Sequence, residues 1–255
     1  MATAQNSFVW YELMTTDTDA AKAFYGKVTG WGATPMPGMP YTMFTLGETP
    51  VGGLMDLPED AKKMGAGPSW IGYVGVDDVD ATVEHIRRLG GTVYVPPRDI
   101  PEVGRFAVVA DPQRATFALF RPLSPPEGGP AQPGTPGRVG WHELLAEDWQ
   151  KAFAFYGELF GWQKADAVDI GPMGTYQLFS IGGQPAGGMF NKPPMVSAPF
   201  WLYYVNSDGI DAATERVKAA GGRIANGPMQ VPGGSWIVQC LDPQGAMFAL
   251  LGPKG

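Results

Sequence analysis

The segment WYELMTTDTDAAKAFYGKVTGW, residues 10–31, recurs as WHELLAEDWQKAFAFYGELFGW at residues 141–162. The two copies share Trp, Glu, Leu, Asp, FYG and GW at matched positions, with Trp141 standing 131 positions after Trp10. Downstream, WIGYVGVDDVDATVEHIRRLGG from Trp70 lies over WLYYVNSDGIDAATERVKAAGG from Trp201, and DPQRATFALF from Asp111 lies over DPQGAMFALL from Asp242. ETPVGGLM (Glu48 to Met55) pairs with QPAGGMF (Gln184 to Phe190) at a slightly larger offset, which places a short insertion in a loop of the second half. A repeat that runs the length of the chain means a duplicated fold. Between the copies, RPLSPPEGGPAQPGTPGR (Arg121 to Arg138) is too rich in proline and glycine to bury a face, and reads as an extended surface linker. The expected division is 1–121, a linker at 122–138, and 139–255.

Each half divides again. Residues 8 to 14 alternate as a strand, with Phe8, Trp10, Glu12 and Met14 on one face and Val9, Tyr11 and Leu13 on the other. Thr16 to Asp19 then offer a helix start, Ala20, Phe24 and Val28 follow at helical spacing, and Gly30 is a stop. Strands are expected near Ala33 to Met36, Tyr41 to Leu46 and Thr49 to Met55. The motif restarts with a strand at Ile71 to Val76 and a helix at Asp78 to Leu89, ended by Gly90-Gly91. Strands near Val93 to Pro96, Arg105 to Ala110 and Ala115 to Phe120 complete it. The prediction is an α+β fold of four βαβββ modules.

Composition narrows the function. A 44% apolar content is that of a chain able to build cores, and 36 glycines with 25 prolines argue for short strands and turns over long helices. A net charge of −7 without a basic run argues against nucleic acid and anionic membranes. MATAQNSF lacks the charged and apolar regions of a secretion signal, and no apolar run is long enough to cross a bilayer, so the expectation is a cytoplasmic protein. Cys240, alone of its type, reads as a buried thiol.

This organisation resembles the vicinal oxygen chelate superfamily of glyoxalase I, bleomycin-resistance proteins and extradiol dioxygenases. The carriers are the FYG-x3-GW ends at Phe24 to Trp31 and Phe155 to Trp162, the helix-GG ends at Leu89 to Gly91 and Ala220 to Gly222, and the DPQ turns at Asp111 and Asp242. Among its members the chain is similar to two-repeat glyoxalase-like proteins of actinobacteria, often labelled hydroxylases. The resemblance implies two glyoxalase-like domains with concave sheets, each cupping a site. It also implies where metal ligands would stand: on the first strand at Trp10 and Trp141, on the last at Ala118 and Ala249, and near Gly53 and Ile71 or Gly188 and Leu202. None of these side chains can ligate a divalent ion, so no metal or other cofactor is expected, with a divalent metal in a rearranged site as the alternative. Internal duplication further implies a monomer that makes within one chain the pairing shorter relatives make by dimerising.

Glu12 and Glu143 occupy one position in both halves, two residues after Trp10 and Trp141 and so on the same strand face. A carboxylate beside tryptophan in a concave apolar site suits a general base or a ligand acceptor, so both are candidate catalytic residues. A glutamate tied into a module seam is the competing structural reading. His142 falls on the opposite face and His85 among charged helix residues, which gives a His-based metal site or triad little support. Candidate ligand-binding residues are Trp10, Trp141, Phe44, Phe179, Tyr73, Tyr204 and Met55, joined by Met14 and Met43. Trp70 and Trp201 could face either way, because a one-residue slip in register turns them over. Two functions follow. One is metal-independent binding or sequestration of a small hydrophobic or aromatic molecule, as in bleomycin resistance. The other is an enzyme, a lyase, isomerase or hydroxylase, in which Glu12 and Glu143 move protons or hold a metal.

Overall fold

The structure is a computed structural model that describes residues 5–124 and 134–255. Most of the linker therefore lies outside the described residues. The first half runs β1 (Phe8–Thr15), α1 (Thr18–Thr29), β2 (Gly32–Pro35), β3 (Thr42–Leu46), β4 (Thr49–Asp56), α2 (Glu59–Lys63), β5 (Ser69–Gly75), α3 (Val79–Arg88), β6 (Thr92–Ile100), β7 (Gly104–Ala110) and β8 (Thr116–Pro122). The second runs β9 (Val139–Ala146), α4 (Trp149–Phe160), β10 (Gln163–Asp169), a 3-10 turn at Gly171–Met173, β11 (Thr175–Ile181), β12 (Gln184–Asn191), β13 (Phe200–Asn206), α5 (Ile210–Ala219), β14 (Arg223–Gln230), β15 (Trp236–Leu241) and β16 (Met247–Gly252). The βαβββ unit occurs four times, as expected. Strand order is β2-β3-β4-β1-β5-β8-β7-β6 in one sheet and β10-β11-β12-β9-β13-β16-β15-β14 in the other.

Local chemistry sets the helices. In α1 the Asp17 carboxylate caps the start by accepting from the Ala20 amide at 2.9 Å, and Gly30, at φ 75°, ends it in the left-handed region where a side chain would be strained. In α4, Asp148 and Gly161 repeat the arrangement. The buried stripe of α1 is Ala21, Phe24, Tyr25 and Val28, so the expected Ala20 sits one position off the inward face.

The chain forms two compact units, and neither is a sequence half. Among the described residues, one contains 10–71, 134–141 and 202–255, and the other 5–9, 72–124 and 142–201. In the first, Phe24, Tyr25, Trp31 and Phe44 of the first module share a core with Val205, Val217, Cys240 and Phe248 of the fourth. In the second, Phe117 of the second module packs against Tyr156 and Phe160 of the third, at ring-centroid distances of 5.5 and 5.9 Å.

Each core is pinned by one buried chain of hydrogen bonds that joins the three repeated motifs. Trp70 Nε1 donates to Tyr25 Oη at 2.8 Å, and Tyr25 Oη donates to Asp242 Oδ2 at 3.2 Å. Asp242 Oδ1 accepts the amides of Gln244 and Ala246, which closes the DPQ turn. Trp201, Tyr156 and Asp111 repeat the chain in the other unit, at 3.0 and 3.2 Å. Burial without a cationic partner raises the pKa of both aspartates. Trp201 is thus a core residue and Trp70 packs, partly buried, against the other core, which settles the register question left open by the sequence.

Candidate functional site

β1 and β4 run parallel with Glu12 opposite Gly53, and β3 lies antiparallel to β4 with Met43 opposite the same glycine. Residues paired across strands share a face, so Glu12, Gly53 and Met43 form one row. Trp10 flanks it on one side, and Met14 with its partner Met55 on the other, the side on which Tyr41 precedes β3. Across this row, Tyr41 Oη donates to the Glu12 carboxylate and accepts from Trp10 Nε1 at 3.0 Å. The tyrosine ring lies over Gly53 so closely that a β-carbon there would fall 1.7 Å from its hydroxyl oxygen. Only glycine leaves the space. Burial, and secondarily the Glu12 charge, push the Tyr41 pKa well above its ordinary value, so its hydroxyl keeps the proton it donates.

The other unit builds the same row from β9, β11 and β12. Glu143 and Leu178 both pair with Gly188, and Tyr176 Oη donates to Glu143 Oε2 at 3.0 Å. A β-carbon on Gly188 would lie 2.1 Å from the Tyr176 ring. Phe190 stands where the first copy has Met55, with its ring 5.7 Å from that of Tyr176. Glu12 is 8% and Glu143 6% exposed, so each carboxylate is held mostly out of water and its tyrosine bond is worth more than a surface contact. Trp141, half-buried, precedes Glu143 by two residues on β9.

Phe44 and Phe179 do not line this face, contrary to expectation. They pair with Gly52 and Gly187, one residue along from the glutamate rows, which turns their rings to the core. Phe44 packs 5.2 Å from Trp31, and Phe179 stacks on Trp162 at 4.7 Å. Tyr73 and Tyr204 are buried, 7% and 1% exposed, on the strand face opposite their neighbours Val74 and Val205, and pair with Ala118 and Ala249. Tyr41 and Tyr176 escaped the sequence reading, yet a signal existed: Y-x-x-F at 41–44 recurs at 176–179 in step with the paired glycines.

The remaining candidates are structural. His142 stacks on Phe8 at 4.2 Å and its Nδ1 meets the Ala186 carbonyl at 2.7 Å, on the side of β9 opposite Glu143. Burial pushes its pKa down to about 4. The fold therefore favours neutral His142, while the unfolded chain takes up a proton near pH 6.5. Stability from this group is present above 6.5 and is lost as pH falls toward 4, by at most about 3 kcal/mol. His142→Phe should flatten that loss in denaturant unfolding compared at pH 7 and 4.5, and an unchanged slope would place the acid-sensitive group elsewhere. His85 lies 3.8 Å from Glu158. Cys240 is fully buried, with its thiol pKa pushed up to about 12, as an inert core residue requires.

The positions that the resemblance marks for metal ligands carry indole at Trp10 and Trp141, methyl at Ala118 and Ala249, hydrogen at Gly53 and Gly188, and branched aliphatic chains at Ile71 and Leu202, and Tyr41 and Tyr176 fill the space above the two glycines. Among the described residues no group of three or more His, Cys, Asp or Glu side chains converges. These residues do not fit a divalent metal. Also among the described residues, no helix is long and apolar enough to cross a membrane.

Two such glutamate faces on repeated βαβββ modules define a duplicated chelate-type fold. The chain belongs to the glyoxalase/bleomycin resistance protein/dioxygenase superfamily, whose family model matches residues 7–119 and again 138–250. It is 34% identical to the glyoxylase-named protein CFP32 of Mycobacterium tuberculosis, over 96% of this chain and 94% of that one. It is 32% identical to the anthracycline biosynthesis protein DnrV of Streptomyces peucetius, over 95% and 91%. Among solved structures, the Mn(II)-bound glyoxalase of Novosphingobium aromaticivorans shares the fold at a TM-score of 0.67 and 17% identity, over 98% of this chain and 83% of that one.

Proposed function

We propose that the protein binds a small, flat, partly aromatic molecule bearing a hydroxyl or similar donor, and does so without a metal ion. The halves 1–121 and 139–255 each contribute one glutamate face. The observation that carries this reading is the Tyr–Glu pair built twice over a glycine. An ionised carboxylate fixed by a tyrosine hydroxyl accepts a hydrogen bond from a ligand, and the adjoining tryptophan and methionine side chains suit a planar apolar body. The likeness to a protein of anthracycline biosynthesis supports an aromatic ligand.

The test is binding of 2-naphthol, followed by tryptophan fluorescence, before and after dialysis against a chelator. Elemental analysis should find Zn, Ni, Fe and Mn well below one per chain, and affinity should survive the chelator. Stoichiometric metal whose removal abolishes binding would overturn the proposal.

The Tyr–Glu hydrogen bond also favours a second reading, in which Glu12 and Glu143 accept a proton from a carbon of a bound substrate in a lyase or isomerase reaction. Solvent deuterium would then enter a C–H position of the substrate, whereas simple binding leaves it unlabelled.

A further inference from the structure

The two halves share a frame but differ along one row of the fourth module. Reading across its strands, Asn226 pairs with Gln239, Gln239 with Ala249, and Ala249 with Tyr204. The second module repeats this row as Val95, Val108, Ala118 and Tyr73, with the same pairings. Val238, Cys240, Phe248 and Leu250, the strand neighbours of Gln239 and Ala249, belong to the core, so the row points to the opposite face. Along it runs a hydrogen-bonded chain: Asn226 Nδ2 donates to Gln239 Oε1 at 3.2 Å, and Gln239 Nε2 donates to Tyr204 Oη at 2.7 Å. It begins at an exposed amide and ends at a tyrosine only 1% exposed.

We infer that Gln239, held between Asn226 and Tyr204, is the specificity-determining residue of a hydrogen-bonding subsite for an uncharged hydroxyl or carbonyl group, and that the valine row is its apolar counterpart. The two halves then prefer different ligands. The fold itself does not require the amides, because the second module builds the same strands with two valines. Nor do they raise stability much, since a hydrogen bond that replaces water gains little over an apolar pair of similar size. Their chemistry does separate ligands: an amide both donates and accepts without attracting ions, and a polar site left unmatched by an apolar analogue rejects it. The inference rests on the small-molecule reading above and refines it.

The experiment compares 2-naphthol with 2-methylnaphthalene, which differ by hydroxyl against methyl. Wild type should prefer 2-naphthol. Gln239→Val, which writes the valine row into the fourth module, should weaken 2-naphthol binding about tenfold and leave 2-methylnaphthalene unchanged. Val108→Gln, which keeps the native fourth module intact, should raise the preference for 2-naphthol and so guards against a folding defect in the first variant. If wild type binds 2-naphthol and neither substitution changes the preference, the subsite is wrong while the small-molecule reading stands. If wild type binds neither naphthalene, that reading fails and the subsite falls with it.

Discussion

Tyr25→Phe is expected to lower stability by about 3 kcal/mol, far more than the loss of one oxygen atom suggests. The hydroxyl is fully buried and joins Trp70 Nε1 to Asp242 Oδ2. Phenylalanine fills the ring volume, so no large cavity forms. It leaves an indole N–H and a carboxylate oxygen short of a partner in a core that water does not readily reach, and each such group costs about 1 to 3 kcal/mol. For a chain of this size the melting temperature should fall by roughly 8 °C. Tyr156→Phe should behave alike, because Trp201 and Asp111 repeat the arrangement. A fall of only a degree or two would mean that the Trp–Tyr–Asp chain is not what fixes the core.

Gly53→Ala should change the chemistry of Tyr41 more than it changes the fold. Gly53 has ordinary strand geometry, so the backbone accepts alanine, but the new methyl overlaps the Tyr41 hydroxyl. The ring must swing away and give up Trp10 and Glu12. Moved toward water and away from the glutamate charge, Tyr41 should titrate near 10, adding one tyrosine to those that ionise in that range. Spectrophotometric titration of wild type and variant reads this directly, and binding of 2-naphthol should weaken alongside. An unchanged titration would show that the tyrosine is not held over the glycine.

The repeat, the four modules and the glutamate positions were legible because they depend on local pattern: the alternation of residues 8–14, the Asp caps and the GG stops. The facing of Phe44 and Phe179 was not, because it depends on pairing with Gly52 and Gly187 near irregularities in β3 and β11 that alternation alone does not register. Tyr41 stands just before its strand and was read as part of it rather than as a partner for Glu12. The sharing of cores between first and fourth, and second and third, modules was hidden for a different reason. An apolar helix face such as Phe24, Tyr25 and Val28 states that it must be covered and does not say by what. That Trp10 and Trp141 stand at first-strand ligand positions is an expectation from the resemblance alone, since composition does not mark a tryptophan as occupying such a position.

The most direct test of the account pairs two readouts on the chain carrying both Glu12→Gln and Glu143→Gln. Glutamine keeps the shape and can still accept from Tyr41 and Tyr176, but it removes the charge that holds a ligand donor. The account predicts 2-naphthol affinity reduced about tenfold or more, with the melting temperature within roughly 2 °C of wild type. Unchanged affinity with a large fall in melting temperature would contradict it, and would make the two glutamates supports of the sheet instead of the centre of a binding site.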